Sequence, residues 1–179
     1  DIVEEIFVLP NDELMSVGAN GQLAVIDVRN GTVKRSLTLN TSNIGGLRSI
    51  DVNGDGTEAV AGDSNGNLIF INLTNLQIIS VENLSEPQVT CVRYSQDFKT
   101  LAAGTGIGIG NLVKARPIFL FDAKSHRVIK QLKGDGGATT ALFFSNDGQY
   151  LFSGHNSGRR IIQMWNLGDS RNQEFKSTF

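Results

Sequence analysis

Three groups of residues in this 179-residue chain carry side chains at spacings that suit chemistry. The first is the turn DVNGDGTE at 51–58, where Asp51, Asn53 and Asp55 fall on alternate positions and Gly56 permits the bend. Alternating oxygen ligands of this kind can wrap a hard cation such as calcium. The same residues also read as a polar hairpin turn, and the glutamate spacing of a helix–loop–helix calcium loop is absent. The second group is TGIGIGNLVKARP at 105–117, rich in glycine at Gly106, Gly108 and Gly110. A phosphate-cradling glycine loop must follow a strand and open a helix, whereas this run returns to the strand-like PIFLFD at 117–122 and has no Gly-Lys-Ser/Thr ending. It reads instead as an insertion, longer than its counterparts, of the kind that carries binding function on a rigid scaffold. Leu112 and Val113 would be its apolar anchors, and Lys114 and Arg116 its positive charge. The third group is NSGRR at 156–160, whose Arg159 and Arg160 would join Lys114 and Arg116 in one basic patch. Such a patch suits an acidic peptide, a phosphorylated segment or an RNA backbone.

No catalytic set emerges. His126 and His155 are the two histidines and stand on different segments, and no Ser-His-Asp grouping has local support. Cys91 is the single cysteine, so neither an internal disulfide nor a thiolate metal cluster can form. The expectation is a protein that is not an enzyme and has no cofactor. Its metal sites would be none, with calcium on Asp51, Asn53 and Asp55 as the alternative. Sixteen basic and 18 acidic side chains give a net charge of −2, so no chain-wide field favours nucleic acid. No apolar run approaches the roughly 20 residues that span a bilayer, and no signal-like start is present. A lone cysteine suits a reducing compartment. An intracellular location follows as an expectation, with nucleus and cytoplasm undecided.

The elements that must position these residues repeat. Apolar runs closed by an acid or its amide, QLAVID, NLIFIN, PIFLFD and IIQMWN, end at Asp27, Asn72, Asp122 and Asn166, roughly 45 residues apart, a period typical of propeller blades. Before each lies a small-residue strand with a glycine turn, LMSVGANG, AVAGDSNG, TLAAGTG and YLFSGHNSG. Glycine supplies positive φ there. Earlier still come IFVLPNDE, SIDVNGDG, CVRYSQDF and ALFFSNDG, the last with an Asp147-Gly148 hairpin signal. A fourth strand follows each closing residue, ending with the polar NQEFKSTF at 172–179. The pattern predicts an all-β chain of four-stranded antiparallel units at 1–42, 43–86, 87–136 and 137–179. Phe7, Phe70, Phe119, Phe121, Phe143, Trp165 and Cys91 are expected in the core.

The pattern resembles the WD-repeat β-propeller family, most closely over GDGGATTALFFSNDGQYLFSGHNSGRRIIQMWNL at 134–167. Gly134-Asp135 stands where that family has Gly-His, and Trp165-Asn166 where it has Trp-Asp. Ile26-Asp27, Ile71-Asn72 and Phe121-Asp122 occupy the same dipeptide position in the other units. Of the family's hydrogen-bonded tetrad, Ser153 and Trp165 are kept, with Asn156 near the turn acid and Asp135 near the histidine. The resemblance implies about four blades of a larger ring, with missing blades or a second chain completing it. It implies a non-catalytic scaffold that binds other proteins of a multiprotein or ribonucleoprotein complex through its loops, with RNA contact as a further option and no membrane. The turn at 51–58 also resembles the calcium loop of integrin-type FG-GAP propellers, although Ala59 replaces an acidic ligand there. That second resemblance implies a calcium-stabilised adhesion propeller as the alternative.

Overall fold

The computed structural model describes residues 3–10, 12–18, 20–39, 43–107, 116–133, 137–156, 162–168 and 174–175. These residues form four antiparallel sheets of four strands, each strand pairing with its sequence neighbours. The first sheet holds β1 (Val3–Leu9), β2 (Glu13–Gly18), β3 (Gln22–Asp27) and β4 (Val33–Thr38). The second holds β5 (Leu47–Val52), β6 (Glu58–Asp63), β7 (Asn67–Asn72) and β8 (Gln77–Asn83). The third holds β9 (Val89–Tyr94), β10 (Thr100–Thr105), β11 (Pro117–Asp122) and β12 (Arg127–Lys133). The fourth holds β13 (Thr139–Phe144), β14 (Tyr150–His155), β15 (Ile162–Asn166) and β16 (Glu174–Phe175). The all-β expectation holds, and among the described residues no helix is long and apolar enough to cross a membrane.

The repeated polar residues are turn caps. Asp27, Asn72, Asp122 and Asn166 each accept, through Oδ1, a backbone N–H two or three residues on, which starts the turn after the third strand. Between first and second strands, Ser95 donates to Asp97 at 2.7 Å and Ser145 to Asp147 at 2.6 Å. Asn53 and Asp55 take the corresponding places in the second sheet, both accepting from the Thr57 amide at 3.0 Å.

Burial follows a face-to-face series. Met15, Val17, Leu23 and Val25 of the first sheet meet Ile50, Ala59, Ala61, Ile69 and Ile71 of the second. Val60, Leu68 and Phe70 then meet Val92, Tyr94, Leu101, Phe119 and Phe121 of the third. Ala102, Ile118, Leu120 and Leu132 meet Leu142, Phe144, Leu151 and Trp165 of the fourth. Strand alternation gives each inner sheet one apolar face per neighbour, and sheets two and three are accordingly apolar on both sides.

Two expectations are corrected. No sheet is closed or curled, and the four form an open series, so the propeller ring is not observed. Closure would bury the free faces of the first and fourth sheets, yet Ile6 and Val8 are 62% and 83% exposed and Phe143 is 58% exposed. Phe143 is therefore a surface residue and not part of the core. Phe70, Phe119, Phe121, Trp165 and Cys91 are buried, and Phe7 is partly buried against the first cluster.

Candidate functional site

A furrow runs between the second and third sheets. Their first strands, β5 and β9, lie side by side, while the space toward the outer strands β8 and β12 is open. Its middle reach has a volume of about 580 Å³ and is walled by Ile79, Leu84, Phe119, Phe121 and Val128. A register shift opposite Phe70 and Ile71 places the extra residue Ile79 beside Ser80 on β8. Val128 pairs with Phe121 and so shares its face. Ile79 and Val128 are 49% and 46% exposed, so the furrow presents apolar surface to solvent. The Ser80 hydroxyl is one of the few buried polar side-chain atoms, among the described residues, without a hydrogen-bond partner.

Each end of the furrow is polar. At one end Glu86 and Arg116 form an ion pair at 2.8 Å beside Leu84 and Pro117. At the other, Tyr94 donates its hydroxyl proton to Glu58 Oε1 at 2.8 Å, and His126 Nε2 lies 3.1 Å from Glu58 Oε2. The His126 ring stacks on Phe70 with centroids 3.7 Å apart. Burial, and then the charge of Glu58, hold the Tyr94 hydroxyl protonated well above the usual tyrosine range. This grouping unites carboxylate, imidazole and phenol, but its bonds cross from β6 and β7 to β9 and the β11–β12 turn. It latches the second sheet to the third. Burial also pushes the Cys91 thiol up to about 12, which leaves little nucleophilic thiolate near neutrality.

The residues singled out from sequence are placed as follows. Asp51 lies in β5 and accepts the Tyr94 amide at 2.8 Å, with Arg93 at 3.5 Å. Burial raises its carboxyl above the ordinary aspartate range, partly offset by that amide. Asn53 and Asp55 instead share the Thr57 amide, so Asp51 serves a different backbone donor from the other two. Among the described residues no group of three or more His, Cys, Asp or Glu side chains is arranged to hold a metal. Arg116 is committed to Glu86. Leu112, Val113, Lys114, Arg159 and Arg160 lie outside the described residues. His155 is buried, its Nε2 2.9 Å from Ser153 Oγ, which also accepts the Trp165 indole N–H at 2.9 Å. Sequence reasoning missed Glu58, Tyr94, Ser80 and the His126 stack. Their partners lie far apart along the chain, and no local pattern marks them.

A family described as "WD domain, G-beta repeat" matches residues 126–166. The matched stretch runs from the β11–β12 turn to the end of β15 and includes Trp165-Asn166. It is a minor part of the chain, and the remaining sheets carry no such match, so the expected membership of the WD-repeat family is not upheld. No curated protein matches the chain. Among solved structures, Kuenenia stuttgartiensis hydrazine synthase is similar, with a TM-score of 0.78 at 15% identity, over 94% of this chain and 52% of that one. The chain thus spans about half the length of that structure. At this identity the likeness shows the fold alone. The scaffold role assigned to loops of a propeller is likewise corrected, because the ring that would display those loops is not formed.

Proposed function

We propose that the chain is a non-catalytic interaction module that accepts an extended apolar segment of another protein in the furrow between its second and third sheets. The observation that carries this reading is the buried, unpartnered Ser80 hydroxyl set among Ile79, Leu84, Phe119 and Val128 in an open apolar furrow. A buried hydroxyl without a partner costs free energy. A backbone group of an incoming segment would satisfy it while apolar side chains cover the walls. Interfaces of this make-up, apolar at the centre and charged at the rim, suit protein partners. The non-catalytic part of this reading is supported by the Glu58–Tyr94–His126 latch, in which Glu58 accepts from Tyr94 and pairs with His126 Nε2 across two sheets.

The test is a displayed-peptide selection on the folded chain, with counter-selection on the Ile79→Asp/Val128→Asp variant. Enriched peptides should alternate apolar residues and bind only the unsubstituted furrow. Ser80→Ala should weaken them by about 1–2 kcal/mol without destabilising the free chain. Peptides that bind both forms equally, or a selection that yields none, would overturn the reading.

A further inference from the structure

The furrow between the second and third sheets is open because of two residues on β8. The outer strands β4, β8 and β12 each shift register at the same point, which sets Arg35, Ser80 and Lys130 opposite Val25, Phe70 and Leu120. All three are partly buried. Arg35 fills the gap between the first and second sheets. It pairs with Glu13 at 2.8 Å, and its Nε donates to the Leu73 carbonyl, just past β7, at 3.0 Å. Lys130 holds the same place on the third sheet. Two residues on, Leu37 packs on the first apolar cluster and Leu132 is buried in the third. Alternate strand residues share a face, so a basic residue and a leucine stand together at each of these gaps. The second sheet has Ser80 and Glu82 in their places, opposite Phe70 and Leu68. In the fourth sheet, with no described sheet after it, Phe175 stands opposite Met164.

The acid that Arg35 serves is retained. Glu58 stands opposite Asn72 as Glu13 stands opposite Asp27, but its partners are Tyr94 and His126 of the third sheet. The second sheet therefore satisfies its acid without a cation at residue 80, and the Ser80 hydroxyl stays buried without a partner. Glu82 is exposed and lines the same furrow, whose walls also include the rings of Phe119, Phe121 and His126. Arg127, also on the furrow wall, stands opposite Asp122, beside His126. We infer, resting on the furrow reading proposed above, that the incoming segment supplies the pair that β8 lacks. An arginine of that segment places its guanidinium beside Ser80 and Glu82, and a neighbouring aliphatic residue covers Leu84 and Phe119. Guanidinium N–H groups donate to Ser80 Oγ and to the Glu82 carboxylate, which leaves the Ser80 proton for a backbone carbonyl of the segment. A planar guanidinium serves two acceptors at once and stacks on aromatic walls, which a lysine ammonium does less well. Arg35 is the internal precedent for a guanidinium between two sheets of this fold.

The test uses three pools of blocked synthetic peptides in which random aliphatic residues alternate with threonine. The central residue is fixed as arginine, citrulline or glutamate, and binding to the whole chain is read by fluorescence anisotropy. The arginine pool should bind about tenfold or more tighter than the citrulline pool, which keeps the shape and loses the charge, and the glutamate pool should be weakest. Glu82→Gln changes an exposed residue and should erase the preference for arginine over citrulline while both pools still bind. Ser80→Arg gives the second sheet the residue of the first, so it should exclude every pool by about tenfold or more. Melting curves check that this variant folds, and Glu82→Gln carries the test if it does not. Equal binding of the arginine and citrulline pools, abolished by Ile79→Asp/Val128→Asp, would overturn the arginine and leave the furrow reading standing. An arginine preference that survives Glu82→Gln would also overturn the inference. Absence of binding by all three pools would overturn both.

Discussion

The second and fourth sheets solve one problem with opposite chemistry. Each must tie the chain entering its first strand to the end of its second strand. In the second sheet the tie is Asp63, fully buried, which accepts the Gly45 amide at 2.8 Å. It also accepts the Asn65 and Asn67 amides and the Asn67 side chain. In the fourth sheet the equivalent residue is His155 and the equivalent glycine is Gly137, but here the ring Nδ1 faces the Gly137 carbonyl at 3.3 Å. A carbonyl only accepts, so Nδ1 donates to it, while Nε2 lies 2.9 Å from Ser153 Oγ, which accepts from Trp165. The second sheet has Ala61 and Ile71 where the fourth has Ser153 and Trp165, both fully buried and apolar. The fold therefore demands a satisfied backbone at this place and leaves the polarity of the partner open. The third sheet makes a related tie, with Thr105 donating to the Pro117 carbonyl at 2.7 Å.

Substitutions can break this comparison at graded depth. Trp165→Ala removes both packing and the indole donor and should destabilise the chain by about 3–5 kcal/mol, read from denaturant midpoints. Asp63→Ala leaves several buried donors without an acceptor and should cost about 3 kcal/mol. A loss below that of an ordinary surface change would show that Asp63 does not hold the second sheet. Trp165→Phe keeps most of the volume but deletes the donor to Ser153, with an expected loss of about 1–2 kcal/mol. His155→Asp sets a carboxylate against the Gly137 carbonyl and should fall below His155→Ala in melting temperature. Equal melting of the two variants would mean that polarity at this place is unimportant.

The smallest effects are pH-dependent and oppose each other in sign. Hydrogen bonding from Arg35 holds the Glu13 carboxyl below its ordinary value. Its stabilisation is present above the unfolded-state range and is lost as pH falls through the folded value. Glu13→Gln should therefore cost more at neutral pH than in acid. Burial raises Asp51 instead. Its charged form is a liability of the folded state above the unfolded-state range, and that liability vanishes in acid. Asp51→Asn should therefore compare more favourably with the unsubstituted chain at neutral pH than in acid. Melting at both pH values checks the two signs together, and parallel shifts would contradict the assigned causes.

Much of the architecture was legible because its causes are local. Asp27, Asn72, Asp122 and Asn166 recur because each caps a turn within a few residues of itself. The apolar runs between the caps alternate with the strand period, which yields four-stranded units directly. The candidate site was not legible for the converse reason. Glu58 meets His126 across 68 residues of chain, and Ser80 becomes an orphan hydroxyl only because β11 and β12 wall the space before it.

The sequence by itself determined the strands, their turns and the all-β class, since these depend on side-chain alternation and on hydrogen bonds spanning a few residues. Only the tertiary structure decided which apolar faces find a partner. Phe143 and Phe144 are neighbours of the same type, yet Phe144 is buried in the third junction and Phe143 faces outward where the series stops. Composition cannot distinguish them, because burial is set by whether another sheet arrives, and that depends on the arrangement of whole sheets and not on any one strand.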